Sequence, residues 1–332
     1  MIKIDGSYGE GGGQILRTAI ALSCVTQKPV EIFNIRANRP KPGLAMQHLK
    51  GIEAAKIITD AYVEGLKLGS TKVVFKPKSL RGGNFKIDIG TAGSVTLILQ
   101  TILLPSIYAE KPSVFEIRGG TDVKWSPSVD YVRFVTFKAL KELNAKIHLE
   151  LIARGYYPKG GGKIIVKVNP SRLEGKEFES MKCDLIRGIS HCQNLPNHVA
   201  ERQRKSAKDI LESRGYSVDI DVEVRKGIST GSGITLFCNY KGSVSLGEKG
   251  KRAEVVGKEC AEEILKELER EGVFDRHLAD QIMTFSAVAK GKTIYTTTDV
   301  TQHQISNAYV INKFFDNVKI DGNRIEIDGV GL

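Results

Sequence analysis

No stretch of this sequence approaches the ~20 consecutive apolar residues that a membrane helix needs, so a helical membrane protein is excluded. Cysteine is scarce and scattered: Cys24, Cys183, Cys192, Cys238 and Cys260 contain no CxxC pair. An odd count without metal spacing argues for unbridged thiols in a reducing cytosol and against zinc. The chain opens directly on a strand-like run, Met1-Ile2-Lys3-Ile4, so no secretory leader is expected and a cytoplasmic location is. Two familiar phosphate loops are also missing. The glycine-rich stretch near the start has no Lys-Ser/Thr in Walker A order, and it lacks the glycine spacing of a Rossmann fingerprint.

What is present is an ordinary soluble composition, with 41% hydrophobic and 26% charged residues in a chain of 332. That length accommodates two domains or one elaborate one. The balance of 49 Lys+Arg against 38 Asp+Glu gives +11. Such a surplus favours an anionic partner, nucleic acid or nucleotide phosphates, with Lys-rich solvated helices as the plainer alternative.

The most informative stretch is DGSYGEGGGQILR, Asp5 to Arg17. A strand, a glycine-rich turn and a helix start form an anion cradle: bare N–H groups and the positive helix end face the ligand, and missing Cβ atoms let it approach. Glu10 inside the loop would repel a phosphate unless a cation bridges them, and Arg17 lies one turn into the helix. The stretch therefore suggests phosphate plus metal; the alternative is a tight turn between strand and helix.

Residues 1–82 read as strand, helix (13–26), strand (29–35), helix (43–59), and strands 62–67 and 72–76. Residues 83–170 repeat that order, with a helix running from a cap at Ser126 or Ser128 to Asn144. A third copy is split. Its later part has a helix at 277–289, a strand at 292–297, a helix from about 305 to 315, and a hairpin turning at Asp321-Gly322-Asn323. Its opening strand lies before residue 276, among the 160s or near 180–186. Residues 180–272 have a different, self-sufficient α/β pattern, with Ser171–Glu177 as a polar linker leading in. The expected organisation is a core of 1–179 and 273–332 with 180–272 inserted.

Loops in equivalent places collect the chemistry. Arg36 and Arg39 lie in a segment stiffened by Pro40 and Pro42, and arginine forks match phosphate oxygens. The same position in the second repeat holds Arg118, Trp125 and Pro127; read plainly, it is a connecting loop with a partly buried aromatic. His277, Asp280 and Gln281 open one helix. His303 sits among hydroxyls and amides at the start of another, where an imidazole can act as nucleophile or acid/base. A lone histidine is usually structural, but here the polar neighbours and the place in the repeat favour function.

Seven segments in order carry a resemblance. They are IDGSYGEGGGQILR (4–17), IRANRPKPGLAMQHL (35–49), IGTAGSVTLILQT (89–101), RGGTDVKWSPSVDYVR (118–133), GYYPKGGG (155–162), HLADQ (277–281) and QHQISNAYVI (302–311). End to end they resemble the RNA 3′-terminal phosphate cyclase family. The resemblance implies an α+β fold: three βαβαββ repeats, like the units of enolpyruvyl transferases, with an inserted small α/β (thioredoxin-like) domain. It implies a ligase reaction on RNA 3′-phosphate ends that uses ATP and a divalent metal, Mg²⁺ or Mn²⁺. It makes His303 the nucleophile that carries AMP, and puts Glu10 at the metal. Arg17, Arg36 and Arg39 become phosphate clamps, and Gln100, Pro127, His277, Leu278, Ala279, Asp280 and Gln281 the nucleotide pocket, with Pro127 and His277 sandwiching adenine. Some relatives have tyrosine where this chain has His277, which bears on adenine binding more than on the reaction. A ribosome-biogenesis branch shares the fold without the histidine, so an inactive RNA-binding member is the alternative. The basic residues Arg202, Arg204, Lys205 and Lys208 of the insert either guide RNA or form a solvated face. The oligomeric state stays open, a homodimer among the options.

Overall fold

The computed structural model describes residues 1–332. The first repeat is β1 (Ile2–Asp5), α1 (Gly13–Thr26), β2 (Val30–Phe33), α2 (Met46–Thr59), β3 (Tyr62–Glu64) and β4 (Val73–Lys76). Its sheet runs β1-β2-β4-β3, with β1 and β2 parallel and the other pairs antiparallel. The third strand is shorter than the sequence suggests because Gly65, with φ 75°, turns the chain away.

The second repeat has β5 (Asn84–Asp88), α3 (Val95–Ile107), β6 (Ser113–Gly119), a helical run, β7 (Lys146–Ala153) and β8 (Gly162–Asn169). Its order, β5-β6-β8-β7, reproduces the first sheet. The helical run comprises α4 (Val129–Tyr131), a π-helical turn (Val132–Thr136) and α5 (Phe137–Glu142). Ser128, not Ser126, is the cap: its hydroxyl accepts from the Tyr131 N–H at 3.1 Å.

The insert is β9 (Leu185–Gln193), α6 (His198–Ser213), β10 (Ser217–Arg225), β11 (Gly231–Cys238), β12 (Lys241–Leu246) and α7 (Ala253–Glu269). Its sheet runs β10-β9-β11-β12. It has its own core of 12 buried residues, including Ile186, Leu211, Ile234 and Ile264. The third repeat closes the chain with α8 (Leu278–Val288), β13 (Lys290–Thr296), α9 (Gln302–Phe314), β14 (Val318–Asp321) and β15 (Arg324–Val330).

The opening strand of that third repeat lies in neither place the sequence suggested. The 160s belong to β8, and β9 belongs to the insert. The segment taken for a polar linker does the job: Glu174 and Glu177 bridge Lys290 and Ile294 in parallel. Lys290 N–H donates to Leu173 O (2.8 Å) and Phe178 N–H to Ile294 O (2.9 Å). With that strand added, the sheet β13-β15-β14 takes the order of the other two. The fold is α+β, three βαβαββ units with an inserted α/β domain.

A second correction concerns the thiols. Cys183 and Cys238 form a disulfide that ties the chain before β9 to the end of β11, while Cys24, Cys192 and Cys260 are free and buried. No helix is long and apolar enough to cross a membrane.

A single core of 64 buried residues runs through all three repeats. At its centre lies α1, whose stretch from Gln14 to Cys24 is buried at every residue except Arg17. A helix apolar nearly all round has no solvent face, and this one packs against α2, α3 and α9.

A buried cation helps fasten the insert to the second repeat, beside contacts such as the Phe134–Phe237 stack (4.7 Å). Arg154, at the end of β7, donates to Asp130 (2.7 Å), Asp122 (3.1 Å) and, across the junction, Glu223 on β10 (2.5 Å). Beside it Tyr156 OH contacts His191 Nδ1 at 2.7 Å. Burial and the Arg154 charge push the His191 imidazole down to about 3, so the ring is neutral. Removing one partner of a buried ion pair strands the others. Arg154→Met is expected to lower the unfolding free energy by ~3–5 kcal/mol, read from urea unfolding. A loss below ~1 kcal/mol would show that the carboxylates do not need the guanidinium.

Candidate active site

Three helix starts from two repeats converge. Gln14 opens α1, Asp280 lies in the first turn of α8, and His303 lies in the first turn of α9. Helix α9 begins at Gln302 rather than near 305 because Thr301 caps it, its hydroxyl accepting from Gln304 N–H at 3.3 Å. The positive ends of three helices thus share one region, which favours an anion there.

The glycine-rich loop reaches this region only because side chains are missing. A Cβ on Gly13 would come within 2.2 Å of His48 Nε2. On Gly9, with φ +59°, it would meet Ser306 Oγ at 2.5 Å. The loop is pressed between α9 on one side and the start of α2 on the other.

The His303 ring has a polar neighbour at each nitrogen. Nε2 lies 3.3 Å from Glu10 Oε2, and that oxygen also meets the Arg39 guanidinium at 3.2 Å. Nδ1 contacts Gln14 Oε1. Gln14 Nε2 in turn donates to Asp280 Oδ2 at 2.6 Å. Burial is the largest influence on the His303 imidazole and holds it below its ordinary value; the Glu10 charge works the other way, and Arg17, His277 and Arg39 add to the lowering. The ring is therefore neutral near pH 7. Burial pushes the Asp280 carboxyl up to about 7, against the Gln14 hydrogen bond and the Arg17 charge.

Behind this row is a polar cavity of about 30 Å³, lined by Arg17, Gln100, Asp280, Gln281 and Asn307 among others. That volume suits water, not a nucleotide, so a nucleotide would lie on the open side, along the loop. Arg17 Nε donates to Gln100 Oε1 at 2.9 Å. Burial lowers the Arg17 guanidinium to about 10, which leaves it charged. Gln281 accepts from Thr136, in the π-helical turn, at 2.8 Å.

The structure therefore brings Glu10, Arg17, Arg39, Gln100, Asp280, Gln281 and His303 into one neighbourhood. Arg36 is near it but folded back, donating to Gly43 O at 2.8 Å. Leu278 and Ala279 have no exposed surface and their side chains belong to the core. His277 is exposed beside Arg276 (3.4 Å), whereas the Pro127 carbonyl accepts from Thr96 at 2.9 Å; no hydrogen bond joins the two. Trp125 is not partly buried but 95% exposed, because it sits at the tip of its loop with φ 66°. Of the basic insert residues, Arg202 is taken by Glu254 at 2.6 Å. Sequence reasoning missed Gln14, which reads as an ordinary helix residue until its partners on two other helices are known. The one available signal was its position at the first turn after the glycines.

A profile of the family described as RNA 3′-terminal phosphate cyclase matches residues 8–320. The chain belongs to the RNA 3′-terminal phosphate cyclase family. Relatives of that name are found along nearly the whole length. The protein of Archaeoglobus fulgidus is 62% identical over 328 residues, covering 98% of this chain and 100% of the relative. That of Pyrobaculum aerophilum is 47% identical over 345 residues, with 99% of each chain covered. That of Pyrococcus furiosus is 47% identical over 326 residues, covering 96% and 94%. Among solved structures, an EPSP synthase from Acinetobacter baumannii spans 99% of this chain and 65% of its own at 10% identity. Its TM-score of 0.27 is too low to carry an argument.

A divalent ion has one carboxylate in contact with His303, that of Glu10, which is 39% exposed. A single open carboxylate suits an ion completed by phosphate oxygens and water. The other candidate, Asp122, Asp130 and His191, is fully buried and already filled by the Arg154 guanidinium. Of the two positions only Glu10 is open to an ion. Since the Glu10 carboxylate favours the imidazolium, Glu10→Gln should lower the His303 pKa further. NMR titration of histidine-labelled protein reads this, and a rise would contradict the geometry.

Proposed function

We propose that this chain is an ATP-dependent RNA 3′-terminal phosphate cyclase that works through AMP carried on His303. The observation that supports it most is the chain of contacts from Asp280 through Gln14 to His303 Nδ1, from which the ring's tautomer follows. An ionised Asp280 can only accept, so it takes the Gln14 amide N–H and turns the amide oxygen to His303. Nδ1 then carries the proton, and the lone pair sits on Nε2, beside Glu10 and Arg39.

In the first step Nε2 attacks the α-phosphorus of ATP; a P–N bond forms and pyrophosphate leaves. In the second, an oxygen of the RNA 3′-phosphate attacks that phosphorus, the P–N bond breaks and the neutral ring is restored. In the third, the neighbouring 2′-hydroxyl attacks the 3′-phosphorus, losing its proton, and AMP departs from the 2′,3′-cyclic ester. Adenylation makes a poor leaving group good, so ring closure needs no strong base. A divalent ion held by Glu10 would neutralise phosphate charge. Arg39, Arg17 and the helix ends supply fixed positive charge around the transferring phosphoryl group, with Arg36 close by. The nucleotide would lie along Gln100, Pro127 and the His277–Gln281 turn.

The inactive, RNA-binding reading has less support, since His303 is present with Nδ1 engaged by Gln14 and Nε2 facing Glu10. We also propose an intracellular site of action; the Cys183–Cys238 bridge suits those intracellular settings where disulfides persist.

Incubation with ATP labelled on the α-phosphate is expected to leave acid-labile label on the protein, lost in His303→Ala. Label that persists in that variant refutes the nucleophile; no label in the parent favours a binding role. The tautomer makes a second prediction. As pH falls through about 7, Asp280 takes up a proton and can donate, so the amide is free to turn and the ring proton to move to Nε2. Single-turnover labelling should slow over that range. Gln14→Leu should cut the rate at pH 8 by about 100-fold or more with little change in the ATP KM.

A further inference from the structure

Four loops at one end of the second repeat's sheet carry side chains that the cyclisation steps do not use. Trp125 is 95% exposed, Tyr157 79% and Ile228 67%. They do not belong to loose segments. Thr121 and Asp122 N–H both donate to Gly155 O, at 2.8 and 3.2 Å. Ser229 Oγ donates to Gly160 O at 2.7 Å. Gly160 lies so close to the 90–93 loop that a Cβ there would come within 2.8 Å of Thr91 O, and Ile228 packs as tightly on Gly161. Trp125 holds φ 66°, a conformation that a bulky residue keeps only where its surroundings fix it. Lys159 and Lys226 stand exposed in the same loops, and Lys124 meets Glu248 at 2.9 Å.

Packed residues join this group to the glycine-rich loop of the site. Ser94 N–H, at the end of the 90–94 loop, donates to Gln47 Oε1 at 3.4 Å. The next residue, His48, is the one pressed against Gly13.

We propose that these loops form a stacking surface for the single-stranded RNA that leads to the 3′ end. The identity of the ligand rests on the cyclase reading of the site. Large aromatic faces held in water are matched by unpaired bases, which stack on them with little regard to sequence, while lysines follow the phosphates. The surface thus grips many RNAs and reserves chemical selection for the terminal phosphate. A second copy of the chain is the other candidate occupant. A two-fold contact would set this lysine-bearing patch against itself, an arrangement that like charge opposes.

Trp125 is the only tryptophan, so its emission reports on this surface without any substitution. Titration with an oligoribonucleotide of about ten nucleotides ending in a 3′-phosphate is expected to quench it saturably. Tyr157→Ala should weaken the apparent Kd about 10-fold. Lys159→Gln should reduce the slope of log affinity against log salt by ~0.7. RNA binding detected on a filter without any change in emission overturns the proposal, even if the variants fail to fold. Emission that follows protein concentration instead of RNA assigns the patch to a contact between copies and equally overturns it. Parallel labelling with α-labelled ATP separates the two readings. Quenching without label sinks the His303 chemistry and leaves the surface, while label without quenching does the reverse.

Discussion

The start of α1 is confined from both sides. His48 from the first repeat presses on one flank and Ser306 of α9 on the other, at distances that leave no room for a Cβ on Gly13 or Gly9. This steric constraint brings Gln14 between Asp280 and His303, and Glu10 beside Nε2 and Arg39. Each of these residues comes from a separate helix or loop. The site is therefore a property of how the repeats pack, and the glycines are the reason they can pack so closely.

Much of this was legible in the chain. The alternation of strand and helix, the glycine-rich turns and the histidine at the start of α9 are local signals, and local signals survive in a sequence. The parts that were not legible are those set by distant partners. The opening strand of the third repeat buries only Leu173 and Phe178 among polar neighbours, so it reads as a linker. The Cys183–Cys238 pair has no spacing pattern, and an odd total conceals one bridge. Gln14 has nothing in its own neighbourhood to distinguish it; its role exists only once α8 and α9 are in place. Trp125 was judged by composition, since tryptophan is usually buried, whereas the positive φ at the loop tip turns it outward.

Arg154 has a different role from the active-site cations. Its three carboxylate partners neutralise it fully and leave it no reach for substrate. It explains why a grouping of acids and a histidine that resembles a metal site is instead a joint between the second repeat and the insert. The insert is thereby held at a fixed orientation next to the loops bearing Tyr157 and Ile228. A mobile appendage could not keep Ile228 packed on Gly161.

The split third repeat has a consequence for how the molecule is made. The segment around Glu174 leaves the ribosome well before β13, its parallel partner, and the whole insert is synthesised between them. Loop closure of that length is slow, and domains complete themselves in order of synthesis. The insert, with a core of its own, can therefore complete itself first, while the core shared by the three repeats waits for the third. The sheet that supports His303 closes last, when the chain is nearly finished. A nascent chain at earlier stages has the glycine-rich loop but not His303, so the site proposed for nucleotide chemistry is assembled only with the completed fold.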